Sequence, residues 1–298
     1  MNDRRSDLPA TESGPQPADA PSRTAQGAAL LRAAHQVLER PVVFEDPIAL
    51  QIIGAEIAGQ IALDSDLYRT PWRVSLRAFL VARSRYAEEE LARAFEHGTR
   101  QYVVLGAGMD TFAYRNPHGA QLRVFEVDHP RTQAGKRTRL QAQGIALPPW
   151  LVFVPVDFEK DSLAERLRAA GFDAAAPAFL SWLGVSMYLT RDAVMQTLRF
   201  VALGCARGSQ IVFDYSVPDD ALGESERAAR ARLGGRVAGI GEPFLSHFDP
   251  ASLARELVAL GFSATSDFGA QEANERYFTN RTDGFSVRGS TRIMTARV

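Results

Sequence analysis

Residues 101–130 read QYVVLGAGMDTFAYRNPHGAQLRVFEVDHP, and this stretch limits the fold more than any other. Its apolar opening, Tyr102, Val103, Val104 and Leu105, is long enough for a buried strand and too short for a globular helix. Gly106 and Gly108 follow at once, so the chain turns where the strand ends and its backbone can approach a ligand closely. Residues 110–114 suit a helix start, whose first N–H groups aim back at the turn. A second apolar run (Leu122, Val124, Phe125, Val127) holds Glu126 and ends at Asp128, twenty residues after Gly108. Strand, glycine turn, helix, strand and acidic tip together make the layout that grips a nucleoside-bearing ligand. The acid matters because a carboxylate accepts two hydrogen bonds and matches the paired hydroxyls of a ribose.

The rest of the chain narrows the class. Its 298 residues fit one large domain, with 46% hydrophobic and 23% charged residues, as in an ordinary globular enzyme. A net charge of −1 argues against a nucleic-acid or membrane-surface binder, which would carry a basic excess. The single cysteine, Cys205, rules out an intrachain disulfide framework and a cysteine-rich zinc site, and the five histidines show no paired metal-ligand spacing. No apolar segment approaches a membrane span, and the arginines near the N-terminus precede no signal-peptide core, so a cytoplasmic setting is expected. Nothing in the sequence sets an oligomeric state.

Residues 1–26 are rich in Pro, Ser, Ala, Asp and Thr and read as a disordered tail. Helical patterns over 28–38, 48–62 and 74–95 form an expected N-terminal cap over residues 27–98. Residues 99–298 then alternate helix and strand. Strands are expected at 151–156, 178–185 and 209–215, with helices at 131–143, 161–169 and 191–206 between them. Such alternation implies a mostly parallel sheet covered by helices on both faces. After a charged helix at 221–233, Gly234, Gly235, Gly239 and Gly241 suggest a flexible connection, and residues 221–248 read as a lid insertion. A helix at 251–260 and late strands at 263–268 and 292–298 complete the domain, with an exposed turn at 274–289.

Taken together, these motifs resemble the class I S-adenosylmethionine-dependent methyltransferases. More narrowly, the chain is similar to the leucine carboxyl methyltransferase-like group, which includes polyketide O-methyltransferases. The matching residues are Ala82-Arg83-Ser84-Arg85-Tyr86, Leu105 to Thr111, Phe125-Glu126-Val127-Asp128-His129-Pro130, Val156-Asp157-Phe158, Gly184 to Thr190, and Gly241-Glu242-Pro243-Phe244. The resemblance implies a Rossmann-like α/β fold with a seven-stranded sheet, S-adenosyl-L-methionine as cofactor, and a small-molecule acceptor methylated on a carboxylate or hydroxyl. Arg83, with Arg85 as neighbour, would pair with the methionine carboxylate, since a guanidinium fork matches it bidentately. Gly106 and Gly108 would lie against the methionyl and ribose parts, and Asp128 would take the ribose hydroxyls. Glu126 reads as support from the other strand face. Asp157 and Phe158 would receive the adenine. Many relatives carry a glutamate just before the glycine of the fourth-strand motif, where this chain reads Trp182-Leu183-Gly184.

A carboxylate acceptor needs no base, whereas a phenol or alcohol does. His247 and Tyr188 are the first candidates for that role and Asp214 a third. Trp72, Phe79 and Phe244 suit the wall of an apolar acceptor site. Two other readings compete. One is an NAD(P)-dependent oxidoreductase, because Asp128 also sits where a ribose-binding acid belongs. Against it, Thr111 takes the place of the third glycine or alanine of that motif. The other is a catalytically silent cofactor-binding protein on the same fold.

Overall fold

The computed structural model describes residues 22–158, 160–239 and 241–298. Residues 1–21 of the expected tail lie outside them, and from Arg23 the remainder of that tail is helical. Helix α1 runs Arg23–Leu38, starting five residues before the expected helix because the Ser22 hydroxyl accepts the Ala25 N–H at 3.1 Å. The helix expected over 48–62 is two, α2 (Pro47–Ile53) and α3 (Ala55–Leu63). The break is Gly54, whose φ of 92° lies in the left-handed region open to glycine. A short α4 (Ser65–Tyr68) leads to α5 (Pro71–Glu96), the longest helix among the described residues. Ala34 of α1, Ile52 of α2 and Ile61 of α3 bury one apolar cluster with Leu80 of α5 and Met109 of the glycine turn. The N-terminal helices therefore rest on the turn itself.

Strands β1 (Gln101–Leu105), β2 (Arg123–Asp128), β3 (Leu151–Pro155), β4 (Ala178–Trp182) and β5 (Gln210–Ser216) are parallel. The short α6 (Phe112–Arg115), then α7 (Pro130–Ala142), α8 (Leu163–Ala169) and α9 (Arg191–Gly204) connect them. Two C-terminal strands, β6 (Ala264–Phe268) and β7 (Thr291–Arg297), complete a seven-stranded sheet of order β3-β2-β1-β4-β5-β7-β6, with β7 antiparallel to both neighbours. β1 and β4 are fully buried and, apart from Gln101 and Ser181, apolar, as central parallel strands should be. Strand order reverses between β1 and β4, so a crevice opens outside their carboxyl ends.

Several boundaries differ from the sequence reading. β4 stops at Trp182, not residue 185, because Gly184 turns the chain at φ 75°. Helix α10 (Glu224–Gly239) contains Gly234, Gly235 and Gly239, which were expected to loosen a connection. α11 (Pro250–Leu260) follows, and α12 (Ala270–Tyr277) occupies part of the expected turn. In α12 the Glu272 side chain accepts the Gly269 N–H at 2.9 Å, a start signal carried by the glutamate alone. No helix among the described residues is long and apolar enough to cross a membrane.

Candidate active site

The β1–β2 edge is built by backbone before side chains enter. Ala107 N–H donates to the Val127 carbonyl at 3.0 Å, and Val156 N–H donates to the Asp128 carbonyl at 2.9 Å. These bonds extend both ladders past the strands and bring Asp128 beside the glycine turn. Its Oδ2 accepts the Gly108 N–H at 2.5 Å and its Oδ1 accepts the His129 N–H at 2.7 Å. Each oxygen keeps a second lone pair for a ligand hydroxyl. Burial raises the Asp128 pKa, and the two N–H donors oppose that rise.

Both glycines are required by what surrounds them. Gly106 has φ 64°, and a Cβ there would stand 2.3 Å from Cγ2 of Val185, across the β1/β4 crevice. Gly108 has φ 47°, and a Cβ there would meet the Ala25 Cβ of α1 at 3.0 Å. α1 is fixed against the same turn by Arg32, whose Nη2 donates to the Met109 carbonyl at 2.5 Å.

The far side of the crevice holds an ion pair. Arg83 of α5 donates from Nη1 to Asp214 Oδ2 at 2.5 Å, with the carboxylate fully buried. Asp214 Oδ1 accepts the Gly184 N–H at 2.6 Å. Asp214 is thus fully buried and held as the counter-charge of Arg83, which sets it apart from the base candidates. It also answers the Leu183 departure: Leu183 packs on the apolar cluster under α5, and a carboxylate reaches that turn from β5 instead.

At the β3 end, Asp157 accepts from Lys160 Nζ at 2.9 Å and lies 3.9 Å from His129 Nε2, while Phe158 packs on the main core. Glu126 lies on a different face from the one expected. Residues two apart share a strand face, so it lies on the side of Asp128, one step deeper, not opposite. It is buried and pairs with Lys136 Nζ of α7 at 2.7 Å, and burial, partly opposed by Lys136, raises its pKa to about 7.

The other predicted residues do not form one set. Arg85 is turned away from the crevice: it donates to Glu89 at 2.8 Å and to the Val43 carbonyl at 2.9 Å, and lies over the Tyr277 ring. There it lines an open groove of about 440 Å3 with Val42, Phe44 and Glu88. A step of two along a helix rotates the side chain about 200°, so Arg83 and Arg85 face different ways. Tyr188 does border the crevice. Its ring lies 5.5 Å from that of Phe244, and the Thr24 hydroxyl of α1 faces its phenol. Burial, reinforced by Glu242, pushes Tyr188 up to about 12, so at neutral pH it is a hydrogen-bond donor rather than a base. His247 faces Arg230 and Asp219; burial, then Arg230, hold its imidazole below the usual range. Glu242, in the Gly241-Glu242-Pro243-Phe244 stretch and without a role expected from sequence, has a buried Oε2 without a hydrogen-bond partner.

The model of the leucine carboxyl methyltransferase family matches residues 25–202, more than half the chain. The chain belongs to the leucine carboxyl methyltransferase family. A Bacillus subtilis protein named for S-adenosyl-L-methionine-dependent methyltransferase activity is 32% identical over 291 residues, covering 89% of this chain and 94% of its own. A Frankia alni protein named likewise is 34% identical over 192 residues, covering 63% of this chain and 66% of its own. Among solved structures, a DUF574 family protein from Streptomyces avermitilis superposes with a TM-score of 0.57 at 15% identity, covering 91% of this chain and 96% of that one. A protein from Thermobifida fusca gives 0.55 at 17% identity, covering 91% and 93%. The fold is that of the class I methyltransferases, and methyl transfer from S-adenosylmethionine is the chemistry this family member's site has to support. The nicotinamide reading falls with that membership. The residues fit the donor: a carboxylate with lone pairs to spare at one end, and a guanidinium at the other.

Proposed function

We propose that this protein transfers the methyl group of S-adenosylmethionine to an oxygen, in a carboxylate or hydroxyl, of a small organic acceptor. The observation that carries the reading is the Asp128–Gly108 contact at the β1–β2 edge, facing Arg83 across the β1/β4 crevice. Arg83 pairs with the methionine carboxylate through the guanidinium edge that Asp214 leaves open. Asp128 takes the ribose hydroxyls, and Asp157 and Phe158 receive the adenine. When bound, the cofactor supplies an electrophilic methyl group on a sulfonium. The protein's part is alignment, which supplies roughly 7–11 kcal/mol where the reacting atoms are held in line. Oxygen as the target is supported by the family's namesake reaction on a carboxyl group. An apolar acceptor is supported by Phe79, Tyr188 and Phe244, which gather on the Arg83 side of the crevice.

Calorimetric titration with S-adenosylhomocysteine, beside NADH, tests the cofactor site. Micromolar binding of the former alone is expected, and binding of NADH alone would overturn the reading. Mass spectrometry of products from a panel of carboxylic acids, phenols, amines and thiols tests the oxygen. Methylation confined to nitrogen or sulfur would overturn that part.

A further inference from the structure

We propose that Glu242 is the proton acceptor of the reaction and that the methyl acceptor is a neutral, apolar hydroxyl compound rather than a carboxylate. This rests on the methyltransferase reading above and deepens it.

The placement of Glu242 follows from how α10 ends. Gly241 takes φ 83°, its N–H donates to the Ala238 carbonyl at 3.0 Å, and the Glu242 N–H donates to the Val237 carbonyl at 2.9 Å. This left-handed closure stops the helix and sends the chain along the turn that carries Tyr188. Leu245 N–H is bound to the Met187 carbonyl at 2.7 Å, the Ser246 hydroxyl to the Ser186 carbonyl at 2.9 Å, and the Phe244 ring lies against Tyr188. The loop is thus pinned at three points, and Glu242 is held with Oε2 buried and unpartnered. A buried carboxylate oxygen without a donor is costly, and a hydroxyl on a ligand is the group that relieves it.

The charges around it choose between the two acceptor classes. Glu242, Asp214 and Arg83 all act on Tyr188, so the four groups share one neighbourhood. Among the described residues, the cation that acts on Tyr188, Arg83, is already bound to Asp214. Arg230 is spent on the Val217 carbonyl, Asp219 and Ser290, and Arg236 lies over Trp72 on the exposed side of α10. A carboxylate acceptor would therefore meet the Glu242 carboxylate while the Arg83 guanidinium is held by Asp214. A neutral hydroxyl fits, and Tyr188, a donor at neutral pH, can hold its oxygen. In the step, an acceptor oxygen lone pair forms the O–CH3 bond as the C–S bond breaks with its pair going to sulfur. The hydroxyl proton passes to Glu242 Oε2 and leaves to water after the product departs.

The test uses 2-naphthol and 2-naphthoate, which share a ring system, titrated into the protein saturated with S-adenosylhomocysteine. Wild type is expected to bind the naphthol about tenfold or more tighter, and Glu242→Gln to lose most of that preference, because the like-charge repulsion is gone. With S-adenosylmethionine, naphthol methylation in Glu242→Gln should fall about 100-fold or more while naphthol affinity stays within about threefold. Equal or tighter binding of naphthoate by wild type, failure of both probes to bind, or a preference unchanged in Glu242→Gln would each overturn the proposal. The wild-type preference decides without any variant, should the substitution disturb folding. If S-adenosylhomocysteine itself fails to bind wild type, the methyltransferase site falls. If it binds and the probes disobey, only the Glu242 assignment falls.

Discussion

Asp214 and Arg83 lie 131 positions apart in the chain and 2.5 Å apart in space, joining the tip of β5 to the middle of α5 in one buried pair. The same carboxylate holds the Gly184 N–H, so the helix, the β4 turn and β5 meet at a single side chain. The guanidinium proposed for the methionine carboxylate and the seating of α5 on the sheet therefore depend on the same contact.

Removing either partner leaves a buried charge uncompensated. Asp214→Ala and Arg83→Met are each expected to destabilise the protein by about 3–5 kcal/mol, and the double variant by clearly less than their sum. Urea unfolding of the four proteins gives the coupling. Additive effects would mean that the pair is not formed.

Gly106 is caught between a backbone constraint and a steric one. Gly106→Ala should destabilise through its φ of 64° and through the Val185 methyl 2.3 Å from the new Cβ. Val185→Ala in the same chain removes the second cause alone. A rescue of part of the lost stability is expected, with a residue of about 1–2 kcal/mol from the left-handed backbone. Full rescue in thermal melts would show that the backbone term is absent.

What could be read from sequence divides along a physical line. Local signals gave the strands, the Gly106–Gly108 turn and the acid at Asp128, because each follows from apolar run length, a missing Cβ or a strand tip. Roles set by tertiary contact were not legible. Asp214 looked like a strand-end acid open to proton transfer, and only the approach of α5 shows it fully buried against Arg83. Arg85 shares a motif with Arg83, yet the helical twist carries it to another groove. The glycines of α10 were expected to break it, but the helix outlasts them and is closed by Gly241. Glu242 stood in plain view within Gly241-Glu242-Pro243-Phe244; its unpartnered oxygen is visible only once Tyr188 and Phe244 are packed beside it.

Asp128→Ala removes the acceptor assigned to the ribose and one cap on the glycine turn. Each hydrogen bond to a charged group contributes about 1.5–3 kcal/mol, so S-adenosylhomocysteine affinity should fall by roughly 100-fold or more. Calorimetry reads the affinity, and circular dichroism checks that the sheet survives. Wild-type affinity in a folded variant would take Asp128 out of the cofactor site.

Glu126 gives stability a pH dependence of a defined sign. Burial, partly opposed by Lys136, raises its carboxyl from 4.5 to about 7 in the folded protein. Between those values the native state keeps a proton that the unfolded chain has released. The stabilisation is therefore full below about 4.5, is lost as pH rises toward 7 and is gone above it. Glu126→Gln cannot titrate and should lack this component. Scanning calorimetry of both proteins at matched ionic strength isolates the effect, since other groups titrating in the same range, Glu88 among them, are common to both and cancel in the difference. The melting temperature of wild type relative to Glu126→Gln should fall as pH rises from 4.5 to 7 and then level. A difference that is flat or rises across that window would place the Glu126 proton on Lys136 throughout, leaving a standing ion pair beneath Asp128.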